Sequence, residues 1–81
     1  MSAPKSEDKL YKAIDHPIRR QIIHIIAENP KTYSRLLEDL NIESGHLAYH
    51  IRILSELLDK DEAGNFILNS DGKKAYSFLI G

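Results

Sequence analysis

The chain has 81 residues, of which 42% are hydrophobic and 28% charged, and its formal net charge is −1 with a pI near 6.4. A chain of this length builds only one hydrophobic core, so we expect a single water-soluble domain, and the near-neutral charge is a mild argument against a nucleic-acid partner. The sequence has no cysteine, which excludes disulfides and thiolate metal sites, and no apolar run long enough for a membrane span or signal peptide, which predicts a cytoplasmic protein.

The N-terminal end of the chain is predicted to be a flexible tail that leads into a helix. Residues 1–8 are polar and include an early proline, so they are assigned to the tail, and residues 9–81 are assigned to the domain. A short helix is predicted over residues 6–14, because acidic side chains favour its first turn and its apolar residues share one side. No internal repeat or low-complexity segment indicates a second unit.

A second helix is predicted between two prolines. Pro17 suits a first helical turn because its missing N–H would be unpaired there, and either Asp15 or His16 is expected to cap it. Pro30 ends the helix by disfavouring helical geometry at the residue before it. Ile23 lies off the apolar stripe and needs a second packing neighbour, whereas the stripe itself faces the core through Ile18, Ile22 and Ile25.

Two further helices joined by a short turn are predicted next. The first covers residues 34–40, is capped by Thr32 or by the serine at its first position, and ends at Asn41 in the left-handed conformation. Ser44 is expected to cap the second helix, over residues 44–57, by accepting a free backbone N–H. Its buried stripe, at steps of four, three and four, consists of Leu47, Ile51, Leu54 and Leu58.

The C-terminal part of the chain predicts a β-hairpin and a last helix. Residues 64–65, Gly-Asn, supply a turn, and Phe66 and Leu68 alternate as the inward side of a half-buried strand. Asn69 is expected to cap a helix over residues 70–80. The order of elements predicts a mainly α fold with a small β-hairpin, a winged helix-turn-helix with additional N- and C-terminal helices.

Two motifs in this pattern resemble the ArsR-type winged-helix regulators, especially small stand-alone archaeal versions. Residues 47–51, LAYHI, match the family's Leu-small-Tyr-His-aliphatic recognition helix, and residues 68–72, LNSDG, match its Leu-Thr-x-x-Gly, with asparagine keeping the helix cap. The likeness extends over residues 13–80. It implies a dimeric, sequence-specific DNA-binding transcriptional regulator, typically a repressor, which would bind a two-fold symmetric operator.

The chain departs from the family in its metal-ligand positions and in its wing. Arsenic- and cadmium-sensing members carry a cysteine pair on the helix that here reads RLLEDL, and the zinc-sensing branch takes Asp and His ligands from the last helix, which here has only Asp71. The resemblance therefore does not imply metal sensing. Family wings often bring Arg or Lys to the phosphates, whereas this wing has Asp59, Asp61 and Glu62 against a single Lys60, so its contact with DNA is left open.

The predicted recognition helix carries a polar face opposite its buried stripe. With Leu47 at the centre of the stripe, steps of about 100° per residue place Tyr49 and Arg52 on the far side, where they can reach base edges or phosphates. The alternative is an ordinary solvated helix face. Basic residues at the start of the helix-turn-helix can meet phosphates at a helix N-terminus. The predicted DNA-binding residues are Lys31, Arg35, Ser44, Gly45, His46, Tyr49 and Arg52.

The histidines and the paired arginines have simpler explanations than a metal site. His46 and His50 lie one helical turn apart, but two histidines are one short of the three protein ligands of a catalytic zinc. His50 is predicted at the core edge, bonded to a backbone carbonyl. Either Arg19 or Arg20 is expected to form an ion pair with a helix carboxylate, and the other to face solvent. We therefore predict no metal and no cofactor.

The first and last helices are predicted to form a two-fold interface. The last helix is apolar on more sides than one small core can bury, so a homodimer is expected in addition to the double-stranded DNA partner. The predicted interface residues are Leu10, Tyr11, Ile23, Tyr76, Phe78, Leu79 and Ile80.

Four possible functions are weighed for this domain, and the first is set aside. An enzyme is not expected, because the sequence has no Gly-rich phosphate loop, no readable nucleophile–base motif and too little chain for an enclosed pocket. A transcriptional regulator is the preferred hypothesis. A winged-helix module for protein–protein contact without specific DNA binding is the alternative, since the acidic wing and near-neutral charge suit it. A metal-responsive regulator is the third hypothesis.

Overall fold

The computed structural model describes residues 5–81, with side chains from Leu10 onward. Within that range five α-helices and one β-hairpin follow each other as α1 (Lys5–Ile14), α2 (Pro17–Glu28), α3 (Tyr33–Leu40), α4 (Ser44–Leu54), β1 (Leu58–Lys60), β2 (Phe66–Leu68) and α5 (Ser70–Ile80). A single 3-10 turn, Ser55–Leu57, joins α4 to β1. This order confirms the predicted winged helix-turn-helix with extra terminal helices. Within residues 5–81 no helix is both long enough and apolar enough to cross a membrane.

The predicted N-terminal tail covers residues 1–8, and its first half, residues 1–4, lies outside the described residues. Residues 5–8 are the first residues of α1. The helix predicted over residues 6–14 is therefore present and begins one residue earlier, and the boundary of the domain at residue 9 stays a prediction.

Most helix ends are set by the local signals expected from the sequence. His16 caps α2 by accepting the Ile18 N–H at Nδ1, 3.1 Å away, with proline at the first helical position. Thr32 caps α3 through its hydroxyl, and Asn41 ends that helix with φ 53° in the left-handed region. Asn69 caps α5 by accepting the Gly72 N–H at 2.8 Å. These predictions are confirmed.

The start and end of α4 differ from the prediction. Glu43 occupies the cap position without a side-chain cap bond, and Ser44 is the first helical residue. The predicted Ser44 cap is therefore wrong, and the Ser44 hydroxyl lies 3.2 Å from the Tyr33 hydroxyl. After Leu54 the chain tightens into the 3-10 turn, so α4 is three residues shorter than the predicted 44–57.

One hydrophobic core joins all the elements. Its buried residues are Leu10, Ala13, Ile22, Ile23, Ile26, Leu36, Leu47, Leu54, Leu57, Leu58, Phe66 and Ala75. Because α2 packs against both α1 and α5, Ile23 finds the second neighbour that its position required. Leu10 is 4% exposed and Ile23 0% exposed within the single chain, so both lie in the core. Their assignment to a dimer interface is corrected accordingly.

The wing is connected to the start of the helix-turn-helix. Strands β1 and β2 pair antiparallel, with Leu58 opposite Leu68 and Lys60 opposite Phe66. Phe66 also exchanges two backbone hydrogen bonds with Lys31, at 2.7 and 3.3 Å. The position of the wing relative to α3 is therefore fixed by main-chain bonding, which does not depend on the acidic side chains at its tip.

Candidate nucleic-acid interface

Helix α4 presents one polar face to solvent and one apolar face to the core. Leu47, His50 and Leu54 are buried. On the opposite side Tyr49 is 52% exposed, and Arg52, three residues further on, is exposed as well. Residues three or four apart share a helix face, so Gly45, Tyr49 and Arg52 line one exposed side of α4. Ser44 and His46 are exposed beside it at the N-terminal end of the helix. We call these five predicted contact residues the recognition face: Ser44, Gly45, His46, Tyr49 and Arg52.

The N-terminus of α4 is held by a side chain that the sequence analysis did not single out. The Tyr33 hydroxyl donates a hydrogen bond to the Ser44 carbonyl oxygen, 2.6 Å away. Tyr33 is the first residue of α3, so this bond fixes the start of the recognition helix relative to the helix that braces it. No local pattern signals the contact, because its two residues are eleven positions apart.

The two basic residues predicted to meet phosphates are paired with acids of α3. Lys31 Nζ lies 3.2 Å from an Asp39 carboxylate oxygen, and Arg35 Nη1 lies 3.4 Å from Glu38 Oε1. Two acidic side chains of α3 therefore lie beside the predicted phosphate contacts. The Arg35 pair is exposed, with side chains 61% and 70% accessible, and such pairs contribute only about 0.2–1 kcal/mol. A phosphate can therefore displace Glu38 from Arg35 at small cost.

A shallow polar depression of about 380 Å³ lies beside these residues, between the start of α3 and the wing. It is lined by Pro30, Lys31, Thr32, Arg35 and Asn65. The free N–H groups at the start of a helix and the two basic side chains both favour a negatively charged group here. The depression thus has the charge expected for a phosphate contact, and Asn65 of the wing forms part of its lining.

The acidic wing uses one of its carboxylates to build its own turn. One Asp61 oxygen accepts the backbone N–H groups of Ala63, at 3.0 Å, and Asn65, at 2.9 Å. Hydrogen bonds, first from the Asn65 backbone and then from its side chain and the other turn N–H groups, lower the pKa of Asp61. Lys60 lies over the Phe66 ring, 5.0 Å from its centroid. The single basic wing residue thus contacts its own hairpin.

The two arginines at the start of α2 bind the end of α1. Arg19 Nε donates to the Ala13 carbonyl at 2.9 Å, and Arg19 Nη2 donates to the Lys12 carbonyl at 3.0 Å. Arg20 Nη1 donates to the Ile14 carbonyl at 2.8 Å. The predicted ion pair with a helix carboxylate is therefore replaced by carbonyl contacts, since the last carbonyls of α1 lack helical partners.

His50 is buried, 1% exposed, and its partner is an arginine where a backbone carbonyl was predicted. Arg19 Nη1 lies 3.2 Å from His50 Nδ1, and a guanidinium can only donate, so this nitrogen is the acceptor and the neutral ring carries its proton on Nε2. Nε2 is buried and has no hydrogen-bond partner among the described residues. Burial, followed by the charges of His16, Arg19 and His46, lowers the pKa of His50.

Three histidine rings meet at this point, yet they are not arranged as metal ligands. The rings of His16 and His46 lie 4.6 and 4.9 Å from that of His50, centroid to centroid. In both His16 and His50 the Nδ1 atom accepts a hydrogen bond, so in the neutral ring Nε2 carries the proton and offers a metal no lone pair. Among the described residues no group of three His, Asp or Glu side chains is placed to hold a metal ion.

The outer side of α1 and α5 carries exposed aromatic and aliphatic residues. Tyr11 and Phe78 stack with their ring centroids 6.2 Å apart and are 59% and 52% exposed. Ile80 is 60% exposed, and Tyr76 and Leu79 are half-buried. His24 is exposed and lies edge-on to Tyr76. The five remaining predicted interface residues are therefore all at least partly accessible on α1 and α5, and we refer to them together as the α1–α5 patch: Tyr11, Tyr76, Phe78, Leu79 and Ile80.

Comparison with known sequences identifies the family. Residues 16–57, just over half of the chain, match the bacterial regulatory protein, arsR family. The chain belongs to the ArsR family. The matched segment contains α2, α3, α4 and the 3-10 turn, so it includes the recognition face and the helix that braces it. ArsR-family helix-turn-helix proteins are DNA-binding regulators of transcription, and this is the general function that membership implies. No curated protein sequence matches the chain.

Solved structures confirm the ArsR-type fold. HlyU from Vibrio cholerae N16961 has a TM-score of 0.78 at 22% identity, covering 93% of this chain and 88% of that one. Quinone-bound YodB from B. subtilis has a TM-score of 0.77 at 18% identity, covering 98% and 90%. An ArsR family transcriptional regulator of known crystal structure has a TM-score of 0.75 at 17% identity, covering 98% and 87%. These identities support the shared fold.

Proposed function

We propose that this ArsR-family protein is a sequence-specific DNA-binding repressor that occupies a promoter in the cytoplasm, and that it is not an enzyme. The observation that carries the proposal is the recognition face, on which Tyr49 and Arg52 are exposed while the opposite side of α4 is fixed in the core. An α-helix is about 10–12 Å wide and the major groove about 12 Å, so α4 fits the groove with this face against the bases.

The shape of the recognition face favours a close approach to DNA. A Cβ atom added at Gly45 would meet nothing within 4 Å, so the start of α4 is open to a ligand and short of side-chain bulk. Arg52 can donate two hydrogen bonds to a guanine, which is the commonest specific contact of arginine with DNA. Tyr49 and His46 flank this position with groups that bond bases or phosphates.

Contacts with the phosphates are assigned to the polar depression at the start of α3. Lys31 and Arg35 exchange their exposed acidic partners for the DNA backbone, and the N-terminus of α3 adds its partial positive charge. The acidic wing tip stays outside this contact, because its carboxylates repel phosphates. This arrangement places positive charge locally on a chain whose net charge is −1.

We infer that the protein is a homodimer joined by the α1–α5 patch. The exposed, stacked Tyr11 and Phe78, together with Ile80, are apolar surface that a two-fold contact would bury. Two recognition helices would then read half-sites about 34 Å apart on a two-fold symmetric operator. Light scattering is expected to give twice the 9.2 kDa chain mass, and a monomer at micromolar concentration would refute the dimer.

The function is tested by selecting bound sequences from a random DNA pool and measuring variants on the selected site. Arg52→Ala should lose about 1–3 kcal/mol of binding free energy on the selected site and relax the sequence preference at one base pair. Arg35→Ala should weaken binding to all sequences almost equally. It should also reduce, by about one, the steepness with which the logarithm of the binding constant falls with the logarithm of salt concentration. Glu43→Ala is the matched control, since Glu43 is exposed beside α4 and makes no cap bond.

Each outcome decides between DNA recognition and the protein–protein alternative. Circular dichroism must first show that every variant is folded. Selected sites that depend on Arg52 support the proposal. The alternative predicts weak DNA binding that added salt abolishes, that Arg52→Ala does not change, and that selects no consensus sequence. This result would instead identify an interaction module that does not recognise specific DNA.

A further inference from the structure

The Arg19 side chain connects three helices of the protein. It starts from α2, binds the last carbonyls of α1 at Lys12 and Ala13, and reaches His50 on the buried side of α4. Arg19 is only 7% exposed, so this network is enclosed by protein. One buried guanidinium therefore links α1, which carries part of the α1–α5 patch, to the recognition helix.

The Arg19–His50 contact exists only while His50 is neutral. Protonation would put a hydrogen on Nδ1, which could then no longer accept from Arg19, and would place two positive charges at a contact of 3.2 Å. The other groups against the ring are His16 before α2, and His46 and Tyr49 on α4. No carboxylate is among the charged groups of the described residues that act on His50.

We propose that the Arg19–His50 contact is a pH-sensitive connection that holds α4 in its DNA-binding position at neutral pH and releases it in acid. The buried Nε2 without a partner offers a protonated ring no compensating acceptor. Release would leave α4 attached through its leucines and the Tyr33–Ser44 bond, so the expected consequence is a loosened recognition helix. The effect on DNA affinity rests on the proposed function, whereas the effect on stability does not.

The direction of the pH effect follows from the environment of His50. Its pKa is lowered in the folded chain, first by burial and then by His16, Arg19 and His46. Between the folded and unfolded pKa values the unfolded chain binds more protons than the folded one, so stability falls as pH falls. The stabilisation from neutral His50 is fully present above the ordinary histidine pKa of about 6.5. It is lost as the pH drops through the lower pKa that His50 has in the folded chain.

The test compares His50→Asn with the parent chain and with His24→Asn. The asparagine carbonyl can accept from Arg19 in place of Nδ1 and does not titrate near neutral pH. His24 is an exposed histidine of α2, so its variant controls for the loss of one histidine. On unfolding, the parent and His24→Asn should each take up more protons than His50→Asn, by as much as about one proton per chain. The pH dependence of the free energy of urea unfolding between pH 8 and 5 measures this difference. Equal proton uptake in all three would overturn the proposal.

Affinity for the selected DNA site is measured over the same pH range. All other histidines are common to the parent and His50→Asn, so the difference between these two chains isolates the effect of His50. Lowering the pH should weaken DNA binding by the parent chain more than it weakens DNA binding by His50→Asn. If no chain binds DNA at any pH, the proposed function fails while the unfolding data still decide the present proposal.

Nuclear magnetic resonance of the parent chain tests the proposal without any substitution, in case His50→Asn does not fold. Imidazole nitrogen shifts should show His50 with its proton on Nε2 at pH 8, and a titration midpoint of His50 below the ordinary histidine pKa of about 6.5. A proton on Nδ1, or a midpoint at or above that ordinary value, would overturn the proposal.

Discussion

His46 and His50 of α4 carry the same side chain in two different settings. They lie one helical turn apart with ring centroids 4.9 Å apart, yet His46 is exposed near the start of the helix, whereas His50 is 1% exposed and bonded to a buried arginine. Tyr49 and Leu47, on opposite faces of the helix, show the same contrast between solvent and core. The spacing of two histidines therefore does not identify a site, because the role of each depends on which other helices pack around it.

The largest effect that tests this contrast comes from truncating one residue on each face. Leu47→Ala opens a cavity in the core and should lower the free energy of unfolding by about 2–5 kcal/mol. Tyr49→Ala should change it by no more than about 0.5 kcal/mol while weakening DNA binding. Urea denaturation and titration of the selected DNA site measure both quantities. A destabilised Tyr49→Ala beside an unaffected Leu47→Ala would show that the two faces have been interchanged.

The glycines of α4 and α5 extend the comparison to the backbone. A Cβ at Gly72 would overlap the Leu57 carbonyl oxygen and press on Leu68, whereas a Cβ at Gly45 meets open space. Gly72→Ala should therefore destabilise the fold by about 1–3 kcal/mol through overpacking. Gly45→Ala should leave stability unchanged or raise it by up to about 1 kcal/mol, while reducing DNA affinity.

Thermal or urea unfolding of both alanine variants separates these expectations. Each variant serves as the control of the other, since both add one methyl group near the start of a helix. Equal stability losses would mean that the close contact between α5 and the 3-10 turn does not restrict residue 72. Undiminished DNA affinity of Gly45→Ala would mean that the start of α4 does not approach DNA closely.

The sequence predicted those parts of the fold that depend on neighbouring residues. Asn41 and Asn69 end and begin helices through bonds within a few positions, and their signals are local. The Arg19–His50 contact spans 31 positions and the Tyr33–Ser44 bond eleven, so neither leaves a pattern in any short window. The recognition face followed from helical periodicity, and its DNA contacts stay predictions.

Which residues of the terminal helices are buried could not be predicted from the sequence, for the same reason. Leu10 lies on the apolar side of a short terminal helix and Ile23 lies off the main stripe of α2. Such residues fit either a dimer surface or a core covered by another helix. The packing of α1 and α5 on α2 decides between these alternatives, and it is a property of the whole chain. Tyr11 and Phe78 remain exposed on α1 and α5, so exposed and buried apolar residues of these helices are hard to tell apart by sequence.

The smallest expected effect is that of metal. His16, His46 and His50 bring three rings together, yet Nδ1 of both His16 and His50 accepts a hydrogen bond that fixes the proton on Nε2. Zinc would have to break the α2 cap or the Arg19–His50 contact to gain these ligands. We therefore expect no stoichiometric zinc in protein purified without a histidine tag, and no change in unfolding or DNA affinity on adding a chelator. Elemental analysis that finds about one metal per chain would contradict this prediction. It would also show that exposed His46 and buried His50 act together despite their different settings.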